Sequence, residues 1–152
     1  MDREFIIDVS RSIGTIDYAM VEKDAIIHRL LAGIASDEHL SERLVFKGGT
    51  CLVKAHLSYY RFSDDIDFGW ADGRLWKDRS KRSTESSCLV EIKKVIERMT
   101  SIASRLEMAF DPALSSRNDV FVSNTGTKVT FHLHYAPAIS PSSGKIKMEI
   151  NL

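Results

Sequence analysis

Hydrophobic residues in the first third of the chain recur at the spacing of α-helices. In residues 2–14 these positions are Phe5, Ile6, Val9 and Ile13. Because positions three and four apart share one face of a helix, and glycine commonly ends helices, this segment is predicted to be a short helix that stops at Gly14. A stronger helical pattern covers residues 18–35, and Asp17 is the predicted cap.

The longest helical pattern lies in the second half of the chain. Apolar positions repeat through residues 89–106 at helical spacing, which predicts a core helix capped by Ser86 or Ser87. Residues 36–41 are polar and show no such period. They are predicted to form a loop.

Alternation of apolar and polar residues predicts the strands. Residues 120–122 and 129–135 flank a turn that contains glycine, so we expect them to pair as an antiparallel hairpin. Residues 145–152 alternate in the same way and predict a further strand. A short buried strand is predicted at residues 44–46, just before a glycine pair.

The segment from Val45 to Phe68 carries the candidate chemistry. Asp65 and Asp67 alternate with Ile66 and Phe68. In a strand, the two aspartates would lie on one face, about 7 Å apart. Like charges this close destabilise a strand unless a cation lies between them. Magnesium prefers such oxygen ligands, and further carboxylates would allow the two-metal arrangement used for displacement at phosphorus.

A glycine pair precedes these aspartates. Gly48 and Gly49 have no Cβ, so their backbone N–H groups can approach a phosphate closely. Lys47 and Thr50 flank the pair. The spacing G-x-x-x-x-G-K-[ST] is absent, so this is not a P-loop.

Together these residues resemble the central segment of the AbiEii/AbiGii-type toxin nucleotidyltransferases, in the DNA polymerase β-like nucleotidyltransferase superfamily. The matching motifs are Phe46-Lys47-Gly48-Gly49-Thr50, then Leu52 and Lys54, then Arg61-Phe62-Ser63, then Asp65-Ile66-Asp67. Upstream, Glu22-Lys23-Asp24 also resembles that family. The resemblance implies an α/β (α+β) fold with a nucleotidyltransferase-like mixed, largely antiparallel sheet and helices packed on one side.

The resemblance also implies an activity. We expect a magnesium-dependent nucleotidyltransferase that moves a nucleoside monophosphate from an NTP to a hydroxyl of RNA (tRNA) or of a protein. Its biological setting would be the toxin of a bacterial toxin–antitoxin or phage-defence (abortive infection) system, with a cognate antitoxin as partner.

The resemblance assigns roles to particular residues. Asp65 and Asp67 would hold one or two Mg²⁺ ions, and Glu149 would be a third catalytic acid that acts as a base or joins the metal shell. The predicted nucleotide-binding residues are Lys47, Gly48, Gly49, Thr50, Lys54, Arg61 and Ser63. For Lys54, an ion pair on the helix surface is an equally good reading.

Length and composition limit the remaining classes. We expect the 152 residues to form a single core domain, residues 1–152, that lacks the C-terminal helical part of longer family members. No apolar run approaches the ~20 residues needed to span a bilayer, so a cytoplasmic protein is expected. With 21 basic and 21 acidic residues, any nucleic acid would be held by a local patch, for which the segment from Arg74 to Arg82 is the candidate.

Two other functions use the same residues. One is a non-catalytic module of this fold that binds a nucleotide or an antitoxin. The other is a metal-dependent phosphodiesterase, in which water takes the place of the hydroxyl acceptor.

His132 and His134 share the polar face of one predicted strand. A solvent-facing or substrate-lining role is favoured over zinc binding there, because a third ligand is not evident.

Overall fold

The computed structural model describes residues 2–56, 62, 64–71, 81–123, 128–140 and 142–151, without the side chains of residues 56 and 81–85. Arg61, Ser63, most of the basic segment and the predicted hairpin turn lie outside the described residues.

Helices make up most of the first half of the chain and one long stretch of the second. They are α1 (Arg3–Ile13), α2 (Tyr18–Ala35), α3 (Glu38–Arg43), α4 (Gly48–Cys51) and α5 (Lys81–Arg105). A π-helical turn, Leu52–His56, continues α4 directly. The first three helices begin in the same way, because Asp2, Asp17 and Asp37 each accept a hydrogen bond from a backbone N–H of the first turn.

In the part of the chain that the structure describes, five strands form one sheet. They are β1 (Leu44–Lys47), β2 (Asp65–Trp70), β3 (Val120–Val122), β4 (Lys128–Tyr135) and β5 (Gly144–Asn151). Their order across the sheet is β1-β2-β5-β4-β3. Only β2 and β5 run parallel; the other neighbouring strands are antiparallel. The predicted mixed, largely antiparallel sheet is confirmed.

The core lies between one face of the sheet and the helices. Ile66, Phe131 and Met148 are fully buried on that face, and they belong to one cluster with Leu30 of α2 and Met99 of α5. Alternate residues of β2, β4 and β5 point to the opposite face and are mostly polar. The predicted arrangement, with helices on one side of the sheet, leaves this polar face for chemistry.

Several sequence-based predictions about local structure were wrong. Residues 36–41 are not a loop, because Asp37 caps α3 and Leu40 anchors that helix in the core with no exposed surface. The strand β1 is at the edge of the sheet, and its Val45 is 52% exposed. It is therefore a half-exposed edge strand and not a buried one.

The predicted bounds of α2, its cap Asp17 and the stop of α1 at Gly14 are confirmed, but the long helix starts earlier than predicted. The helix α5 begins at Lys81, so Ser86 and Ser87 lie inside it and do not cap it. Next to the site, helical structure begins at Gly48 itself, and the turn after it is π-helical, with Leu52 47% exposed and Val53 buried. Within the described residues, no helix has the length and apolar character needed to cross a membrane.

Candidate active site

The two aspartates of β2 lie on the polar face of the sheet. Ile66 and Phe68 are 0% and 4% exposed in the core, so the alternating Asp65 and Asp67 point the other way. This shared face is what the alternation in the sequence predicted. The Asp65 side chain is 50% exposed and open to a ligand.

The glycine turn lies directly against Asp67. Lys47, the last residue of β1, is opposite Asp67 in the antiparallel register, and the chain then turns into α4 at Gly48 with φ of +80°. A Cβ placed on Gly48 would lie 2.5 Å from Asp67 Oδ2. Only glycine has both this conformation and the space, so the glycine turn and the aspartate strand are in contact.

Thr50 ties α4 to the same strand. It is 2% exposed, and its hydroxyl donates a hydrogen bond to the carbonyl oxygen of Asp65. The sequence predicted Thr50 as a triphosphate contact. The structure gives its hydroxyl a role in holding Gly48 and Gly49 beside the start of β2.

Glu149 joins the aspartates on the polar face. The parallel pairing of β2 and β5 puts Glu149 opposite Asp67 and Lys147 opposite Asp65. The carboxylate of Glu149 lies 2.9 Å from the ammonium groups of both Lys147 and Lys128, and Lys147 Nζ is 3.7 Å from Asp65 Oδ2. The acidic residues therefore alternate with lysines across three strands.

These lysines determine the protonation of Glu149. Burial acts to raise the pKa of Glu149, but the hydrogen bonds and the positive charges of Lys128 and Lys147 together outweigh it, so that pKa is lowered. In turn, the hydrogen bond to Glu149 raises the pKa of Lys147, and Asp65 adds to the effect. A carboxylate held in its charged form takes up a proton poorly, so the geometry favours an electrostatic or ligand role for Glu149 over that of a general base.

The sequence interpretation did not identify Lys128 and Lys147 as part of this cluster. For Lys147 the sequence did carry a signal, since the alternation of residues 145–152 puts Lys147 and Glu149 on one face. Lys128 could not be found in that way. It reaches Glu149 only because β4 pairs with β5.

Lys47 and Lys54 differ in their surroundings. Lys47 lies on the polar face, where a Cβ on Gly69 would be 3.5 Å from its Nζ. Lys54 Nζ lies 2.8 Å from Asp24 Oδ1 of α2, with the two side chains only 6% and 14% exposed. The ion pair considered from the sequence is present, but it is buried and not on an exposed helix surface; a contact of Lys54 with the nucleotide stays a prediction.

The residues before Asp24 also reach the neighbourhood of the site. Lys23 Nζ lies 2.8 Å from Oδ1 of Asp64, the residue just before β2. Glu22 is 2% exposed, and its Oε1 accepts a 2.6 Å hydrogen bond from the backbone N–H of Ala138. A cavity of about 320 Å³, lined in part by Glu22, Lys23, Asp64 and Lys145, opens where β2 and β5 begin.

The acidic residues fit magnesium by chemistry. In the described part of the chain, no group of three or more His, Cys, Asp or Glu side chains is already gathered as a metal site. Magnesium commonly takes only one or two protein carboxylates and completes its shell with water and phosphate oxygens. Asp65 and Asp67, on one face and partly exposed, match that requirement.

The histidines of β4 make a separate structural contact. His134 Nε2 lies 2.9 Å from Oδ1 of Asp119, and Asp119 also accepts a hydrogen bond from the backbone N–H of Asp111. Burial and the charge of Lys145 lower the pKa of His132. Among the described residues these histidines form no metal cluster, and His134 ties β4 to the connection before β3.

Two solved structures are similar to this chain. JHP933 from Helicobacter pylori has a TM-score of 0.50 and 17% identity, with 88% of this chain and 44% of that chain covered. A second H. pylori protein, provisionally assigned as a nucleotidyltransferase, has a TM-score of 0.48 and 16% identity, with 88% of this chain and 45% of that chain covered. This chain thus spans less than half the length of either. No curated protein sequence matches it.

A family model gives the assignment. The model for the nucleotidyl transferase AbiEii toxin of type IV toxin–antitoxin systems matches residues 29–152. That range contains β1, the glycine turn, Asp65, Asp67 and Glu149. Because most of the chain is matched, the protein belongs to the AbiEii family of nucleotidyl transferase toxins.

Proposed function

We propose that this chain is the nucleotidyltransferase core of a toxin that moves a nucleoside monophosphate from an NTP to a hydroxyl of RNA, such as tRNA, or of a protein. The observation that carries the proposal is the contact between Gly48 and Asp67. Asp67 shares its face of the sheet with Asp65 on β2 and with Glu149 on the neighbouring strand β5. This joins a surface for phosphate to a pair of oxygen ligands.

In this proposal, the glycine turn binds the triphosphate. Gly48 and Gly49 leave their backbone N–H groups accessible to phosphate oxygens. The N-cap residue of α4, Lys47, makes no capping hydrogen bond with its side chain. Lys47 lies on the polar face next to Gly69, where its ammonium can offset phosphate charge. Arg61 and Ser63, outside the described residues, stay in the proposed nucleotide-binding set because of the sequence resemblance.

Asp65 and Asp67 would hold Mg²⁺. When bound, the ion would neutralise charge that develops on the phosphoryl oxygens. The acceptor oxygen forms a bond to the α-phosphorus, the bond from that phosphorus to the bridging oxygen breaks, and pyrophosphate leaves. Glu149, kept ionised by its lysines, would add negative charge beside the metal-binding aspartates. Because an ionised carboxylate of lowered pKa is a weak base, the acceptor hydroxyl would lose its proton to solvent as the new bond forms.

Membership of a family of type IV toxin–antitoxin systems supports a cognate antitoxin as the counterpart of this toxin. We place the reaction in the cytoplasm, where NTPs and tRNA are found. Because the chain spans under half of the solved chains, activity and acceptor choice in the whole protein form part of the proposal.

The test is to incubate the protein with labelled NTPs, magnesium and either total tRNA or cell protein. We expect label to move to one acceptor, and the double variant Asp65→Asn, Asp67→Asn to lower transfer at least 1,000-fold because charge stabilisation is the main source of catalysis. Asp8→Asn is the matched control, since Asp8 is an exposed aspartate of α1, and it should leave transfer unchanged.

Other outcomes of the same assay would contradict transfer. Shortened RNA without transferred label would indicate the phosphodiesterase. Bound nucleotide with no turnover would indicate the non-catalytic module. EDTA should abolish transfer, and added magnesium should restore it.

A further inference from the structure

Three polar contacts connect α2, the glycine turn and β2 in a closed ring. Asp24 of α2 pairs with Lys54 of the π-helical turn, 2.8 Å apart. Thr50 of α4 donates its hydroxyl to the backbone carbonyl of Asp65 in β2. Asp64, just before β2, pairs with Lys23 of α2 at 2.8 Å. The contact between Gly48 and Asp67 lies between the segments that this ring joins.

The Asp24–Lys54 pair is well protected from water. The side chains are 14% and 6% exposed, whereas the Arg11–Asp8 pair of α1 has both side chains 74% exposed. Burying two charges is costly, and replacing such a pair by apolar residues often does not reduce stability. Stability alone is therefore a weak explanation for this pair.

The π-helical turn gives Lys54 its position. The turn continues α4 without a break, so its displacement would carry Gly48 and Gly49 with it. Single π-helical turns frequently occur at functional sites. A displacement of about 1 Å in a reacting group can reduce a rate by about 100-fold.

We propose that Asp24, Lys54 and Lys23 are positioning residues, which hold the glycine turn at a fixed distance from Asp65 and Asp67. The inference rests on the proposed function and deepens it. Lys54 then acts through Asp24 and not by contact with the triphosphate. Asp24 and Lys23 lie outside the residues that the family model matches, 29–152.

A double-mutant cycle distinguishes these roles of Lys54. We expect Asp24→Asn and Lys54→Gln each to lower kcat by 10- to 100-fold with less than a threefold change in the Kd for NTP. The double variant should resemble either single variant, because both remove one shared contact. Asp24→Glu, which keeps the charge, should recover much of the rate. Arg11→Gln is the control and should change nothing.

Hydrogen–deuterium exchange gives a second measurement that does not depend on turnover. Asp24→Asn should raise exchange at least fivefold in peptides covering residues 47–56 and leave β4 unchanged. Lys23→Gln removes the partly exposed pair, for which little loss of stability is expected, and should raise exchange at the start of β2. This variant keeps the test decisive even where Asp24→Asn does not fold.

Several results would overturn the inference. They are additive effects in the cycle, a loss confined to the Kd for NTP, or unchanged exchange in residues 47–56. If the wild-type chain transfers no label but exchange responds as expected, the proposed function is wrong, and the conclusion that these contacts fix the glycine turn is retained. If transfer occurs and these variants behave like wild type, the positioning role is wrong and the proposed function is retained.

Discussion

At the scale of single residues, Gly48 is constrained in two independent ways. It combines φ of +80° with a close approach to the carboxylate of Asp67. Side chains other than glycine are disfavoured at such φ values, and here the missing Cβ also makes room for a charged group. Conformation and space therefore both require glycine at the point where strand, turn and aspartate meet.

Gly48→Ala should lower the free energy of unfolding by about 2–4 kcal/mol, from backbone strain and displacement of Asp67 together. Gly14→Ala is the matched control. Gly14 has φ of +72° but nothing within 4 Å of a Cβ, so that variant should show only the backbone part, about 1–2 kcal/mol. Denaturant unfolding measures both. Equal losses in the two variants would mean that the contact with Asp67 has no energetic consequence.

The same pair of variants should separate in activity. Gly48→Ala moves Asp67 or the turn, so labelled transfer should fall strongly, whereas Gly14→Ala should leave it unchanged.

Part of the candidate site could be predicted from the sequence, since the glycine pair and the aspartates stand out by type and spacing. The partner of Lys54 could not, because Asp24 lies on another helix and meets it only in the tertiary structure.

At the scale of elements, β5 connects the aspartates to the rest of the polar face. It runs parallel to β2 and antiparallel to β4, so Glu149 lies between Asp67 on one side and Thr130 on the other. Lys147 and Lys128 contact Glu149 from the same strand and from the neighbouring one. The charge on this carboxylate is consequently part of how the three strands pack.

This arrangement predicts a pH dependence of stability. The pKa of Glu149 is lower in the folded protein than its ordinary value of 4.5, so its ion pairs stabilise the fold above that pH. The contribution is lost as the pH falls through the lowered pKa. Glu149→Gln should therefore reduce the free energy of unfolding by about 1 kcal/mol at pH 7, and the difference from wild type should shrink toward pH 3.

Urea titrations at several pH values check this prediction. Asp8→Asn, at an exposed pair of α1, should show little difference at any pH. A deficit of Glu149→Gln that stayed constant from pH 7 to pH 3 would show that the lysines do not set the charge of Glu149.

Strands and long helices were predictable because their periods extend over many residues. The alternation of β2, β4 and β5 gave both their existence and their inward faces. The short α3 was missed, since six residues carry little helical period, although Asp37 before Leu40 was a capping signal. The π-helical turn has no sequence signature of this kind. Its ion pair with α2, between Lys54 and Asp24, is visible only in the tertiary structure.

At the scale of the whole molecule, one face of the sheet stabilises the fold and the other carries the candidate chemistry. The core buries apolar residues of all five described strands against α2 and α5. The opposite face presents Asp65, Asp67 and Glu149 with their lysines, next to the glycine turn. Because the rigid side of the sheet lies behind the site, substitutions on the polar face should affect chemistry more than folding.

The most direct test of the central claim is a crystal structure of the protein with Mn²⁺ and a nonhydrolysable NTP. We expect an anomalous peak for manganese within ligand distance of carboxylate oxygens of Asp65 and Asp67, with the triphosphate against Gly48 and Gly49. Metal and triphosphate bound elsewhere, with no metal at Asp65 or Asp67, would contradict a nucleotidyltransferase site on this face.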